Sequence, residues 1–376
     1  SAASDVYKRQ FKTNLFSESW QVFFWRNKMS YEGKNLETIA LHAGWRADAT
    51  TGSVAVPIHQ TTSYQFESTE KAADLFALAE LGNIYTRIMN PTTAVLEERM
   101  AALDGGAAGL AVASGQTASA YSIQNLARAG DNIVASSHLY GGTYNQFKNN
   151  LSEMGIEVRF VDPTDPLMFI KASDTKTRAF FGETLPNPKL QVFPIREVAD
   201  LGRKNGIPLI VDNTAAPIFC RPFDHGAAIT TYSTTKYIGG HGTSIGGLII
   251  DGGNFDWIEA GSERQPTLNT PDPCYNGVVW TEATKEMGPI AYIMKARTTL
   301  LRDLGGAMSP FNAWSFIQGL ETLPLRMREH GKNALQVAQY LVDNSLVSSV
   351  TYPGISEGIS KELSLIHISE PTRHTR

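Results

Sequence analysis

An aspartate and a lysine follow two consecutive predicted strands, and their side chains have complementary chemistry. Asp212 follows the apolar run IPLIV, and Lys236 lies just beyond the next predicted strand, AAITTYS. A buried carboxylate needs a cationic or hydrogen-bonding partner, whereas a lysine amine that loses its proton becomes a nucleophile. Together the two residues predict pyridoxal phosphate, with Lys236 forming the Schiff base and Asp212 keeping the ring nitrogen protonated. Taken singly, Asp212 is also typical of a helix cap and Lys236 of a protein surface.

A phosphate site is predicted at a turn from strand to helix. Ser114, Gly115 and Gln116 follow the apolar run LAVA and begin a helix-like segment. Unpaired backbone N–H groups and the helix dipole at such a start favour an anion. Ser233 and Thr235 lie within three residues of the lysine and offer hydroxyl donors to the same phosphate. Many strand-to-helix turns carry Ser-Gly, so this turn is informative only in combination with the lysine.

Two loop segments add an arginine and two tyrosines. Tyr85 and Arg87 lie in YTRIMNP, and arginine is a natural charge partner of phosphate. Tyr140 lies in HLYGGTY at another predicted strand end, where its ring could stack on a planar cofactor. A surface ion pair for Arg87 and a core or rim position for Tyr140 are the alternatives.

The elements that position these residues follow from the hydrophobic pattern, which alternates short apolar runs with helix-like segments from about residue 81. This alternation predicts an α/β fold with a mostly parallel central sheet that helices cover on both faces. In such sheets ligands bind beyond the carboxyl ends of the strands, where the residues above are placed. The predicted strands are 110–114, 132–136, 156–162, 177–183, 207–213, 227–233 and 244–250.

Helix ends are also marked in the sequence. Asn90 and Pro91 form a cap and a first turn, and the glycines after Asp104 predict the end of that helix. From about residue 288 the parallel pattern stops. Residues 310–344 predict a long amphipathic helix that belongs to a second, smaller C-terminal α/β domain.

Composition excludes several classes of protein. The 376 residues carry a formal net charge of -4, which gives no basic footprint for nucleic acid or for a membrane surface. No apolar run approaches the ~20 residues of a membrane span. Cys220 and Cys274 are far apart and match no metal-ligand spacing. We therefore expect no disulfide framework, no metal centre and a cytoplasmic location.

The two ends of the sequence differ from the middle. The segments SAASDVYKRQ and LSLIHISEPTR resemble translated sequencing-adapter text, and residues 1–28 and 363–376 are expected to be foreign to the fold. Between them we expect an N-terminal arm over 29–80, a large cofactor-binding domain over 81–287 and a C-terminal domain, cut short, over 288–362.

Several motifs, in their order along the chain, resemble those of one enzyme family. They are YTRIMNPT, ASGQTA, LYGGTY, ETLPNP, VDNTAAP and YSTTKYIGGHG. From LETIALHAG to about residue 355 the chain resembles the Cys/Met-metabolism family of pyridoxal-phosphate enzymes, which have fold type I. The resemblance implies that fold and the cofactor pyridoxal 5′-phosphate.

The resemblance also implies a role for each site residue. Lys236 would carry the cofactor, Asp212 would hold the pyridine nitrogen and Asn187 would contact the ring hydroxyl. Tyr140 would stack on the ring. The implied phosphate ligands within the same subunit are Ser114, Gly115, Gln116, Ser233 and Thr235.

Two further residues are implied to act between subunits. Tyr85 and Arg87 would reach into the neighbouring subunit and bind its phosphate, which implies a homodimer, usually paired into a homotetramer. Tyr85 or Tyr140 would assist a proton transfer, and the sequence does not choose between them. Glu183, in the same segment as Asn187, ranks below these candidates.

Details within the motifs narrow the implied reaction. HGTSIGG follows the lysine where cystathionine-forming and cystathionine-cleaving relatives tend to carry His-Ser-Asp, and residues 251–277 resemble an insertion of enzymes that use O-acetylhomoserine. The implied activity is γ-replacement, in which O-acetyl-L-homoserine and sulfide or methanethiol give homocysteine or methionine and acetate. The alternatives are a methionine γ-lyase, a cystathionine γ-synthase, a Rossmann-like nucleotide-binding module and a cofactor-free scaffold.

One residue of the family pattern has no match. The family binds the substrate carboxylate with an arginine in a Ser-Leu-Gly-containing region of the C-terminal lobe. Arg326 and Arg328 lie upstream on a predicted helix and are not obvious substitutes. We therefore expect this chain to bind the cofactor with weak or no turnover.

Overall fold

A seven-stranded sheet lies at the centre of the computed structural model, which describes residues 31–355 apart from Glu32, Leu78 and Leu81. The strands are β1 (Ala108–Val112), β2 (Asn132–Ser136), β3 (Glu157–Val161), β4 (Thr177–Glu183), β5 (Leu209–Asp212), β6 (Ile229–Ser233) and β7 (Gly247–Asp251). Their order in the sheet is β1-β7-β6-β5-β4-β2-β3. Strands β2 to β6 pair in parallel, whereas β7 is antiparallel to β1 and β6. The predicted fold class is confirmed.

Apolar side chains cover both faces of the sheet. Phe180 of β4 packs in one buried cluster with Val211, whereas its neighbour Phe181 packs in another with Ile210. Because successive side chains of a strand point to opposite faces, these two clusters lie on the two sides of the sheet. Burial on both sides explains why the central strands are nearly continuous apolar runs in the sequence.

Helices flank the sheet, and their bounds are as follows. They are α1 (Leu36–His42), α2 (Thr69–Phe76), α3 (Pro91–Asp104), α4 (Gly115–Gln124), α5 (Gly141–Asn145), α6 (Leu167–Lys171), α7 (Ile195–Arg203), α8 (Trp257–Arg264), α9 (Pro266–Asn269), α10 (Trp280–Ala283), α11 (Ala291–Lys295), α12 (Arg302–Leu304), α13 (Pro310–Glu321) and α14 (Leu323–Val342). Helices α5 and α11 continue as π-helical segments over Gln146–Leu151 and Ala296–Leu301. Short 3₁₀ turns lie at Pro222–His225, Pro273–Tyr275 and Lys285–Met287.

The predicted ends of α3 are confirmed. The Oδ1 atom of Asn90 accepts the N–H of Thr92 at 2.9 Å, and Pro91 occupies the first turn. Gly105 ends the helix with φ at 78°, in the left-handed region that favours glycine. The loop that carries Tyr85 and Arg87 therefore enters α3 through a well-formed cap.

The long helix predicted over 310–344 is two helices, so the prediction of one continuous helix was wrong. The break lies at Thr322, where ψ is 1°. Pro324 lies in the first turn of α14, where a missing N–H group costs nothing because that group would have no acceptor within the helix. Helices α13 and α14 share a buried cluster with α1 and α3.

Several sequence expectations concern features other than the sheet. The ends expected to be foreign, 1–28 and 363–376, lie outside the described residues. Within the described ranges, no helix is long and apolar enough to span a bilayer, and no cluster of three His, Cys, Asp or Glu side chains could hold a metal ion. Cys220 is buried, Cys274 is exposed, and both are free thiols.

Candidate active site

Three parallel strands end side by side at the predicted site. Glu183 at the end of β4 is the register partner of Asp212 at the end of β5, and Ser233 ends the neighbouring strand β6. Helix α4 begins against the end of β6, since a Cβ at Gly115 would lie 2.6 Å from the Cβ of Ser233. The lack of a side chain at Gly115 permits this approach. The fold thus brings the predicted ring-nitrogen and phosphate residues to one edge of the sheet.

The start of α4 offers two backbone donors. The Oγ atom of Ser114 accepts the N–H of Thr117 at 3.1 Å, and the Ser114 carbonyl accepts the N–H of Ala118 at 3.0 Å. Within the described part of the chain, the N–H groups of Gly115 and Gln116 have no acceptor. Unpaired N–H groups at a helix start bind phosphate readily. The hydroxyl of Ser114 serves as the helix cap, and the next two residues present the donors.

The hydroxyl groups near the lysine are used in different ways. Thr235 accepts the N–H of Gly246 through its Oγ1 at 3.2 Å, whereas the Oγ of Ser233 makes no hydrogen bond among the described residues. The N–H of Ser233 donates to the Oγ1 of Thr214 at 2.8 Å, and the N–H of Thr214 donates to the Oδ1 of Asp212 at 2.9 Å. Thr214, which sequence reasoning missed, therefore connects the carboxylate to the phosphate side of the site.

Glu183 holds two of the residues expected around the ring. Its Oε1 atom accepts the N–H of Tyr140 at 2.6 Å, and its carboxylate also accepts the N–H of Asn187. The sequence alone placed Glu183 below both residues as a site candidate. The pattern that points to Glu183 is that TRAFFGE, like IPLIVD, is an apolar strand that ends in an acidic residue. A buried acid at a strand end needs donors, and here the donors are site backbone groups.

The two carboxyl groups form an electrostatic pair without a counter-cation. Burial raises the pKa of the Glu183 carboxyl, and the charge of Asp212 raises it further. Burial also raises the pKa of Asp212, against which the hydrogen bonds from Thr214 act. Neither carboxylate forms an ion pair with a lysine, arginine or histidine in the described ranges. A cation placed beside Asp212 would therefore stabilise its ionised form.

Lys236 lies on a tight turn after β6 with its side chain exposed. Its N–H donates to the carbonyl of Ser233 at 3.2 Å, and its carbonyl accepts the N–H of Gly240 at 2.8 Å. Tyr140 is 47% exposed, and its ring lies beside Gly142, where a Cβ would be 2.5 Å from its Cε1. The side chains of Lys236 and Tyr140, which are both predicted to touch the cofactor, are therefore accessible at this edge of the sheet.

Among the described residues, no hydrogen bond, ion pair or ring contact joins the side chains of Tyr85 and Arg87 to the site residues above. The Arg87 guanidinium lies 5.3 Å from the centre of the Tyr85 ring, and both side chains are exposed. Among the described residues, Arg87 forms no hydrogen bond or ion pair. These two side chains are therefore accessible to another molecule.

The two arginines considered for the substrate carboxylate already have partners. Arg326 donates to backbone carbonyl groups of Tyr237, Ile238 and Gly319, and Arg328 forms an ion pair with Glu37. This agrees with the sequence expectation that neither is an obvious substitute.

Comparison with known proteins agrees with the geometry. Residues 37–370 match the family model described as Cys/Met metabolism PLP-dependent enzyme. The chain is 53% identical to an O-acetyl-L-homoserine sulfhydrylase of Leptospira meyeri over 326 residues, which are 85% of this chain and 73% of the relative. It is 50% identical to O-acetyl-L-homoserine sulfhydrylase 1 of Thermus thermophilus over 322 residues, which are 85% of this chain and 75% of the relative.

A solved structure shares the fold. It is a putative O-acetylhomoserine (thiol)-lyase from Campylobacter jejuni with N'-pyridoxyl-lysine-5'-monophosphate, and it is 39% identical to this chain. The TM-score is 0.84, and the match covers 89% of this chain and 82% of that chain.

Proposed function

The chain belongs to the Cys/Met-metabolism family of pyridoxal-phosphate-dependent enzymes, and on that basis we propose that it catalyses γ-replacement on O-acetyl-L-homoserine. With sulfide the products are L-homocysteine and acetate, and with methanethiol they are L-methionine and acetate. The reaction belongs to methionine and cysteine biosynthesis. The relatives named as O-acetyl-L-homoserine sulfhydrylases support this substrate. The observation that carries the proposal is the carboxylate pair without a counter-cation, at the same sheet edge as the unpaired N–H groups of α4.

Pyridoxal phosphate fits the described residues. The carboxylate of Asp212 would bind the protonated ring nitrogen, which would supply the positive charge that the carboxylate pair lacks. The N–H groups of Gly115 and Gln116 and the hydroxyl of Ser233 would bind the phosphate. When bound, the cofactor supplies an aldehyde carbon for amines and a ring that accepts the electrons of a broken C–H bond.

The remaining roles belong to side chains of this protein. The amine of Lys236 removes the proton from Cα of the substrate and returns it at the end. Tyr140 would cover the ring, and Asn187 would contact the ring hydroxyl. Thr235 would complete the phosphate site. Tyr85 or Tyr140 assists a second proton transfer, at Cβ.

The overall bond changes balance without a further reactant. Protons leave Cα and Cβ, the bond between Cγ and the ester oxygen breaks, and acetate carries away that electron pair. The sulfur of sulfide or of a thiol then forms the new bond to Cγ, and protons return to Cβ and Cα. Lys236 is the acid and the base for the Cα steps.

We also propose a homodimer, paired into a homotetramer, in the cytoplasm. Tyr85 and Arg87 would bind the phosphate in the neighbouring subunit. Both side chains are exposed, and among the described residues neither forms a side-chain hydrogen bond or an ion pair. The two free cysteines support a reducing compartment.

A product assay tests the reaction. Protein in excess over O-acetyl-L-homoserine is mixed with sulfide, so that even a slow enzyme completes one turnover, and Lys236→Ala is the control. We expect homocysteine and acetate in equal amounts from the wild type and neither from the variant. An α-keto acid and ammonia would instead identify a γ-lyase, and product only with cysteine as the acceptor would identify a cystathionine γ-synthase.

A further inference from the structure

A single arginine side chain holds the turn that follows Lys236. The Nη1 atom of Arg326 donates to the carbonyl of Tyr237 at 2.7 Å, across 89 residues of sequence. Its Nη2 atom donates to the carbonyl of Gly319 at 2.7 Å and to that of Ile238 at 3.3 Å. The guanidinium thus joins the two residues that directly follow the lysine to the end of α13.

The Nε atom of the same side chain is also bonded. It donates to the Oγ1 of Thr322 at 3.2 Å, in the break between α13 and α14. Hydrogen bonds from a charged donor are stronger than those between neutral groups. Because the planar guanidinium directs its N–H groups in fixed directions, four such bonds define the position of the turn relative to both helices.

The surrounding backbone leaves room for this side chain. Gly240 has φ at 73°, and a Cβ there would lie 2.6 Å from the Nη1 of Arg326. A Cβ at Gly319 would lie 2.3 Å from the carbonyl oxygen of Ile238. Glycine at these two positions therefore allows the lysine turn, the arginine and α13 to pack directly against one another.

Arg326 differs in this respect from the next arginine of α14. Arg328 is exposed and pairs with Glu37, far from the lysine turn in the sequence. Arg326 forms no ion pair in the described chain, and its partners are backbone carbonyls together with one hydroxyl. Because its described partners are all neutral groups of the lysine turn and of the adjoining ends of α13 and α14, this guanidinium stabilises the backbone of that turn.

We propose that Arg326 is a positioning residue for Lys236. By fixing the backbone of residues 237 and 238, it sets the direction in which the amine of Lys236 leaves the turn. This inference rests on the proposed function, because it concerns the amine that reacts with the cofactor aldehyde. In that step the amine attacks the aldehyde carbon, a C=N bond replaces C=O and one water molecule is released.

The test measures covalent attachment rather than turnover. Cofactor-free wild type, Arg326→Met and the matched control Arg328→Met are mixed with pyridoxal 5′-phosphate. Samples are reduced with borohydride at intervals, which converts C=N to a stable C–N bond, and the label on the Lys236 peptide is quantified by mass spectrometry. We expect Arg328→Met to follow the wild type and Arg326→Met to attach the cofactor at least tenfold more slowly.

A second pair of variants covers the case in which Arg326→Met does not fold. Arg326→Lys keeps the positive charge but loses the planar set of N–H donors. We therefore expect it to attach the cofactor more slowly than Arg328→Lys. Far-ultraviolet circular dichroism confirms that both variants are folded. Attachment by both Arg326 variants at the rate of their Arg328 counterparts would overturn the inference while leaving the proposed function intact. A wild type that does not attach the cofactor at Lys236 would contradict the proposed function itself.

Discussion

Asp212 and Glu183 are two acidic residues whose different hydrogen-bond partners give them different roles. Both end buried strands, and burial raises the pKa of both carboxyl groups. Among the described residues, the Asp212 carboxylate accepts hydrogen bonds from Thr214 alone and is the one available to a cation, whereas the Glu183 carboxylate accepts the backbone N–H groups of Tyr140 and Asn187. The acid that we propose to bind the cofactor and the acid that holds the backbone of Tyr140 and Asn187 are therefore neighbours in register.

Because Asp212 is buried without a cationic partner, its ionisation should make the stability of the cofactor-free protein depend on pH. A carboxyl whose folded pKa lies above its unfolded pKa binds protons more tightly when folded, so its contribution to stability falls as pH rises above the ordinary carboxyl range. Asp212→Asn removes this loss. We expect the stability gain of the variant over the wild type to be larger at pH 8 than at pH 5. Urea unfolding without cofactor measures it, and a gain that shrinks toward pH 8 would contradict the account.

Glu183→Gln should weaken the cofactor site without unfolding it. Glutamine is uncharged and retains one acceptor oxygen where the carboxylate has two, so the hydrogen bonds from the backbone N–H groups of Tyr140 and Asn187 are weakened. A total loss of about 1.4 kcal/mol corresponds to roughly tenfold weaker cofactor binding. Cofactor titration and the induced circular dichroism of the bound ring measure the effect. The exposed Glu157→Gln is the control, and equal behaviour of the two variants would refute the role of Glu183.

At the level of secondary-structure elements, the contact between α4 and β6 forms the site that we propose for the phosphate. Gly115→Ala would place a Cβ 2.6 Å from that of Ser233, and the helix start must move away. We expect a loss of about 1–3 kcal/mol in stability and weaker binding of inorganic phosphate and of the cofactor. Gly141→Ala is the matched control, since a Cβ there has no neighbour within 4 Å among the described residues. Thermal unfolding and phosphate titration compare the two, and similar results would argue against the close approach.

The elements that sequence reasoning predicted best are those with one dominant local cause. Strands β2 and β4 have the predicted bounds, because continuous apolar runs are bounded by polar residues. The ends of α3 follow from the cap of Asn90 and the left-handed Gly105. The break at Thr322 was missed because the apolar period continues across it, and only Pro324 indicates the interruption.

Some site residues could likewise be predicted from the sequence, and others could not. Asp212 and Ser233 could be predicted because each ends a strand of the parallel sheet, and their positions at one edge follow from the topology. The bonds from Arg326 to the lysine turn could not be predicted, since they join segments 89 residues apart through backbone carbonyls that carry no sequence signal. The same holds for Thr214, whose hydroxyl position depends on the spacing of two strands.

At the scale of the whole molecule, the exposed Tyr85 and Arg87 predict a site shared between subunits. Arg87→Ala and Lys236→Ala are each expected to be inactive alone. Co-expression yields hybrid dimers in which the subunit with an intact Lys236 receives Arg87 of the partner subunit, so one of its two sites is complete. Random assembly makes about half of the dimers hybrid, and we expect about a quarter of the wild-type sites to function. A mixture no better than its two parents would contradict the shared site.

The proposal that Lys236 carries the cofactor is tested most directly by identifying the lysine to which the cofactor is attached. The protein is saturated with pyridoxal 5′-phosphate, reduced with borohydride, digested and analysed by mass spectrometry, with Lys236→Ala treated in parallel. We predict one pyridoxyl group per chain on Lys236, a yellow protein before reduction and neither feature in the variant. Attachment at another lysine, or none in the wild type, would contradict the proposed role of Lys236.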